Sequence, residues 1–111
     1  MKQMKFREYL VKSILSGEKT ATHRLYDDKD FQTGDMVELL NKDTLQRFAL
    51  VTVTHTYEKL FKELVADDFL GNQSPLTWQE YLPVMQKHYG AKAHPDAPVK
   101  IVRFKLIDQA M

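Results

Sequence analysis

The run from Phe48 to Tyr57 constrains this chain more than any other stretch. It reads Phe-Ala-Leu-Val-Thr-Val-Thr-His-Thr-Tyr, rich in β-branched residues and free of glycine and proline. Such side chains crowd a helix and suit an extended strand. Neighbouring strand residues point to opposite faces, so Ala49, Val51 and Val53 share one face and Thr52, Thr54 and Thr56 the other. Continuing that alternation sends His55 and Tyr57 to the apolar side, near one end. A strand of this length needs partners for its backbone groups, so the rest of the chain must supply a sheet.

The flanking segments supply it. Thr33-Gly34-Asp35 is a turn signature leading into Met36–Leu40, a second strand, and Asn41-Lys42-Asp43-Thr44 reads as the connection between the two. Val99 to Ile107 forms a terminal strand whose apolar positions change parity between Ile101 and Val102, which predicts a bulge there. Before the sheet, Phe6, Leu10 and Ile14 recur at helical spacing over residues 4–16, and Gly17 stands where a left-handed residue ends a helix. After it, Leu60, Phe61, Leu64 and Val65 predict a helix over 58–70. Gly71-Asn72-Gln73-Ser74-Pro75 breaks that pattern. Thr77 and Glu80 have the spacing of a capping box for a third helix with Trp78, Tyr81, Leu82 and Met85 inward, bent or split at Pro83. The order is α+β, with a small curled or closed sheet and helices packed on it.

With 111 residues, the chain is expected to form one domain spanning 1–111. The absence of cysteine excludes disulfides, thiolate nucleophiles and Cys-ligated zinc, and fits a cytoplasmic location. No apolar run approaches the ~18–20 residues of a membrane span. Charges at Lys2, Lys5, Arg7 and Glu8 occupy the place of a signal peptide's apolar region. Sixteen basic and fifteen acidic residues leave a net charge of +1, too little to hold long duplex DNA by charge alone. A local basic patch for a short single strand or one nucleotide stays open. The acidic cluster Asp27-Asp28-Lys29-Asp30 lacks the glycine and glutamate of a calcium loop, and His23, His55, His88 and His94 lack zinc spacing. No metal or cofactor is expected.

The chemistry concentrates in Gly17-Glu18-Lys19-Thr20-Ala21-Thr22-His23-Arg24, where a helix stops and an extended segment begins. A lysine placed there points from a loop into a cleft and becomes a base when desolvation or a nearby cation favours its neutral form. Arg24 is such a cation, and its planar fork suits phosphate or carboxylate. Thr22 offers a hydroxyl within reach of a base. The same residues also read as a binding site, with Lys19, His23 and Arg24 on phosphate and Tyr26, Tyr57 or Trp78 stacked on a base. His55, turned inward near Tyr57, would line the same cleft.

The Gly17-x-Lys19-x-x-x-x-Arg24 spacing, with an apolar helix before it and Thr33-Gly34-Asp35 and a strand after it, resembles the ASCH domain family along nearly the whole chain. The resemblance implies a PUA-like β-barrel of about five to six strands with flanking helices, an association with RNA, and a cleft at the motif. One small branch of that family hydrolyses the amide of N(4)-acetylcytidine with a lysine, a threonine three residues later and a glutamate farther on. Lys19 and Thr22 match the first two. The stretch for the glutamate, Leu70 to Ser74, holds no acid, and Asp68 is the nearest carboxylate. The resemblance therefore implies an RNA, nucleoside or nucleotide ligand, and by their own chemistry and placement Arg24, His23, Tyr26, His55 and Tyr57 are the residues expected to bind it. It allows amide hydrolysis by Lys19, Thr22 and Asp68, the alternative being a non-catalytic binding module.

Overall fold

A computed structural model of the protein describes residues 1–26, 28–72 and 77–109, with backbone only for 108 and 109. The strands are β1 (Lys2–Phe6), β2 (Ala21–Leu25), β3 (Met36–Asn41), β4 (Arg47–Leu60) and β5 (Pro98–Gln109), and the helices are α1 (Glu8–Leu15) and α2 (Trp78–Tyr89). Among the described residues the strands form one curled five-stranded sheet in the order β1-β3-β4-β5-β2. β1 runs parallel to β3 and the other neighbours are antiparallel. This half-barrel with two helices is the small α+β fold expected. Asp27 of the acidic cluster and residues 73–76 of the break before α2 lie outside the described residues.

Two apolar clusters use opposite faces of the sheet. Met4, Phe6, Ile14, Val37, Leu39, Val51, Val53, Val102 and Phe104 form the first, and Leu25, Phe61, Phe69, Tyr81, Met85, Val99 and Ile101 the second. Ile101 and Val102 are adjacent and both fully buried, so β5 passes from one cluster to the other at that point. This accounts for the parity change without a bulge at Ile101 and Val102. Residues Ile101 and Val102 pair in unbroken register with Tyr57 and Thr56.

The register between β4 and β5 shifts elsewhere, once where Leu50 pairs with Asp108 and Val51 with Leu106, skipping Ile107, and once within β4. Val53 pairs with Phe104 and His55 with Arg103, leaving Thr54 as the extra residue of a bulge. Beyond it the alternation is reversed. His55 is exposed rather than inward, which removes it from the expected cleft, whereas Tyr57 is half buried against the second cluster.

Three other local expectations change. Residues 2–6 form β1, and α1 starts only at Glu8, because Met4 and Phe6 also alternate and pair beside β3. The helix expected over 58–70 is absent. β4 continues to Leu60 because Glu58, Lys59 and Leu60 pair with Lys100, Val99 and Pro98, and two short 3-10 turns follow, Phe61–Glu63 and Ala66–Phe69. The third helix is present, with Thr77 accepting from the Glu80 amide at 3.2 Å, and Pro83 does not split it. No helix among the described residues is long and apolar enough to cross a membrane.

Candidate functional site

The two outer strands of the sheet, β1 and β2, leave a gap in the half-barrel, and a cleft of about 390 Å³ opens there. Lys5, Phe6 and Arg7 line one side, Lys19, Thr22, His23 and Arg24 the other, and α2 closes it with Tyr81, Met85, His88 and Tyr89. Lys42, at the end of β3, and Asn72 complete the polar lining.

Local backbone chemistry aims Lys19 into this space. α1 ends at Leu15, Gly17 takes φ +85°, and the Lys19 amide returns to the Ser13 carbonyl at 3.0 Å. The Gly71 carbonyl then accepts from the amides of Thr20 (2.8 Å) and Ala21 (3.1 Å), docking the loop after the 3-10 turn onto the start of β2. Gly71 has φ +77°, and a Cβ there would lie 2.1 Å from the Thr20 hydroxyl. Close approach requires glycine. That docking carries Asn72 to the lysine.

Lys19 is 3 % exposed. Its amine donates to the Ala21 carbonyl at 2.7 Å and to Asn72 Oδ1 at 2.8 Å, and it lies 5.9 Å from the centre of the Phe6 ring. Burial pushes its pKa down from 10.5 to about 7. At neutral pH a substantial fraction is therefore an uncharged amine, a base with a lone pair.

Asn72 joins this amine to His23. Its Nδ2 lies 3.4 Å from His23 Nδ1, and His23 Nε2 lies 2.8 Å from the Asp68 carbonyl. A carbonyl accepts only, so Nε2 carries the proton and Nδ1 accepts from the amide, which turns Asn72 Oδ1 toward Lys19. The tautomer follows from this network of partners. Burial pushes the His23 pKa down to about 4, with the Asp68 carbonyl opposing and the Lys19 charge adding, so the ring is neutral at pH 7. Phe69 and Tyr81 hold it edge-on at 5.5 and 5.3 Å.

Asp68 enters this network through its backbone. Its carboxylate accepts from Tyr57 Oη (2.9 Å), Lys59 Nζ (2.9 Å) and the Val65 amide (2.8 Å). Burial pushes that carboxyl up, but the Val65 amide, Lys59 and Tyr57 outweigh it and hold the pKa below the usual value. None of these three bonds goes to Lys19. Arg103 fastens the same loop, donating to the carbonyls of Leu70 (2.7 Å) and Asp67 (2.8 Å) and to Tyr57 Oη (3.2 Å).

Of the residues singled out by sequence, Lys19, Thr22, His23 and Arg24 share the cleft. Tyr57 and Asp68 lie behind it as loop anchors, and Tyr26 lines a neighbouring cavity with Arg24. The Arg24 guanidinium sits 5.2 Å from the Phe31 ring and 3.9 Å from the exposed carboxylate of Asp28. Sequence reasoning missed Asn72, and also Lys5, Arg7 and Lys42, whose approach depends on the curl of the sheet. Among the described residues no three of His, Asp and Glu gather as a metal site.

A curled mixed sheet with a ligand-sized cleft between its outer strands makes this a small α+β domain. Solved structures share the fold. A Lactobacillus crispatus ASCH domain matches with TM-score 0.72 and 16 % identity, over 95 % of this chain and 79 % of that one. A DUF984-family protein of Enterococcus faecalis matches with TM-score 0.74 and 18 % identity, over 91 % and 68 %. The ASCH protein of Zymomonas mobilis matches with TM-score 0.67 and 11 % identity, over 96 % and 70 %. No family model matches the sequence, and no curated protein matches it. The chain has the ASCH-domain fold.

Proposed function

We propose that the cleft binds RNA at an unpaired nucleotide, or a free nucleoside or nucleotide. The observation that carries this reading is the lining. Lys5, Arg7, Arg24 and Lys42 are cations, Lys19 adds an amine, and no carboxylate lines the cleft among the described residues. A chain of net charge +1 has thus gathered positive charge at one concave place. Phosphate suits those groups, while Tyr9 and Tyr89 at the same lining offer rings to a base. The volume is that of a small-ligand site and excludes a duplex.

Fluorescence titration with cytidine 5′-monophosphate and a short unstructured RNA tests this. Binding should weaken with salt, and the double variant Arg7→Ala, Lys42→Ala should flatten the salt slope by about one for each phosphate it no longer neutralises. Absence of binding at millimolar ligand contradicts the proposal.

The depressed pKa of Lys19 favours a second, catalytic reading, hydrolysis of an acylated cytidine. In it Thr22 Oγ attacks the acetyl carbonyl and Lys19 takes the hydroxyl proton. The C–N bond then breaks, and Lys19 returns the proton to the exocyclic nitrogen of the leaving cytidine. Water hydrolyses the acetyl-threonine to acetate. Arg24 supplies positive potential, and Asn72 lies in the stretch where the hydrolases it resembles carry glutamate. Incubation with N(4)-acetylcytidine should release acetate, with activity rising through about pH 7 as Lys19 loses its proton. Lys19→Ala should abolish release. No turnover by the intact protein removes this reading and leaves nucleotide binding standing.

A further inference from the structure

Arg24 belongs to two cavities. The second, of about 410 Å³, is lined by Arg24, Tyr26, Asp30, Glu58, Pro98 and Lys100. Strand register explains the continuity. Glu58 pairs with Lys100 across β4 and β5, and Lys100 pairs with Arg24 across β5 and β2, so the three side chains stand in one row on one face of the sheet. Thr22, two residues before Arg24 and on the same face, lines the first cleft. A ligand following β2 therefore passes from Lys19 and Thr22, over Arg24, to Tyr26.

The chemistry of the two cavities differs in a way that fits neighbouring parts of one strand. The first is lined by cations. In the second, Asp30 and Glu58 offset Arg24 and Lys100, and Lys100 lies 3.7 Å from Asp30. Balanced charge disfavours a phosphate there but offers acceptors to the amino edge of a base. Tyr26 has φ +54°, an uncommon conformation for a residue with a Cβ, and its half-exposed ring is fixed by a bond from its hydroxyl to the Lys92 carbonyl at 3.2 Å. A held aromatic ring beside carboxylates suits a stacked base. Between the cavities stands Arg24. Its ion pair with Asp28 is long and exposed, and its planar fork suits a phosphate.

We infer that the second cavity is a subsite for the base of an adjacent nucleotide, so that the ligand is a dinucleotide step of single-stranded RNA with its bridging phosphodiester on Arg24. This rests on the nucleotide-binding reading above and adds to it a requirement for strand context.

Affinities of 5′-phosphorylated cytidine (pC) and 5′-phosphorylated cytidylyl-cytidine (pCpC), compared at one salt concentration, test it. pCpC should bind about tenfold more tightly, the effect of one further stacked base. Tyr26→Ala should bring pCpC down to the affinity of pC, and Tyr26→Phe, which keeps the ring, should retain the gain. Glu58→Ala, on a different strand, should reduce it independently. Equal affinities of pC and pCpC for the intact protein overturn the subsite while leaving the first cleft standing, as does a gain that survives both Tyr26→Ala and Glu58→Ala. Failure of both ligands to bind overturns the nucleotide reading and the subsite together.

Discussion

An amine held by a carbonyl and a neutral amide behaves unlike a lysine paired with a carboxylate. Lys19 has lost water to burial, and Ala21 O and Asn72 Oδ1 give it hydrogen bonds without a formal negative charge. Asn72→Asp places that charge 2.8 Å from the amine and should raise its titration midpoint by about 1–3 pH units. Carbon-detected NMR of the lysine Cε reads this directly. An unchanged midpoint would show that the amide is not what keeps the amine near neutrality. Folding stability carries the same signature. The unfolded lysine holds its proton up to 10.5 and the folded one only to about 7, so stability rises with pH across that window and falls as pH drops through 7. His23, depressed from 6.5 to about 4, contributes stability that is present above 6.5 and lost as pH falls through 4. Urea unfolding should show the first slope flattened in Lys19→Met and the second in His23→Gln. Identical slopes in the intact protein and the variants would contradict these assignments. Lys19 was legible from sequence because a helix stop and a polar turn place it locally. Asn72 was not, since it reaches Lys19 from 53 residues away through a loop whose composition says only that a helix ends.

The loop from Ala66 to Asn72 is the element on which the site depends, and it has little regular structure of its own. Asp68 and Arg103 pin it by side-chain bonds, and Gly71 presses its backbone against Thr20. Gly71→Ala should cost about 1–3 kcal/mol from the positive φ alone and shift Asn72 away from Lys19. Thermal unfolding and the Lys19 midpoint should therefore move together in this variant. A protein destabilised by Gly71→Ala with an unaltered Lys19 midpoint would separate the loop from the site. Sequence periodicity misled here for an identifiable reason. Leu60, Phe61, Leu64 and Val65 have helical spacing, yet the pairing of Glu58 to Leu60 with β5 keeps the chain extended until Phe61. Val65 is in fact exposed. The bulge at Thr54 was invisible for a related reason, because the Val-Thr alternation runs through it unbroken and only the partner strand reveals the shift. His55 was misplaced as a direct consequence. The cap at Thr77 and the glycine stop at Gly17 are set by neighbouring residues and were legible.

At the scale of the whole molecule, the half-barrel is left open between β1 and β2, and the cleft occupies that opening. Lys5 and Arg7 come from one rim, Lys19 and Arg24 from the other, and the curl brings the rims together although β1 and β2 are at opposite ends of the strand order. The concentration of charge is thus a product of topology. Composition shows only the balance of sixteen bases against fifteen acids. The catalytic reading of the cleft needs Lys19 to be withdrawn from water, since a hydrated lysine would add a cation but no base. Its titration in the intact protein, followed by the Cε and Hε shifts, is the most direct test. A midpoint close to 7 supports the account, and one near 10.5 contradicts it, because the amine would then be hydrated and charged and the cleft would not enclose it.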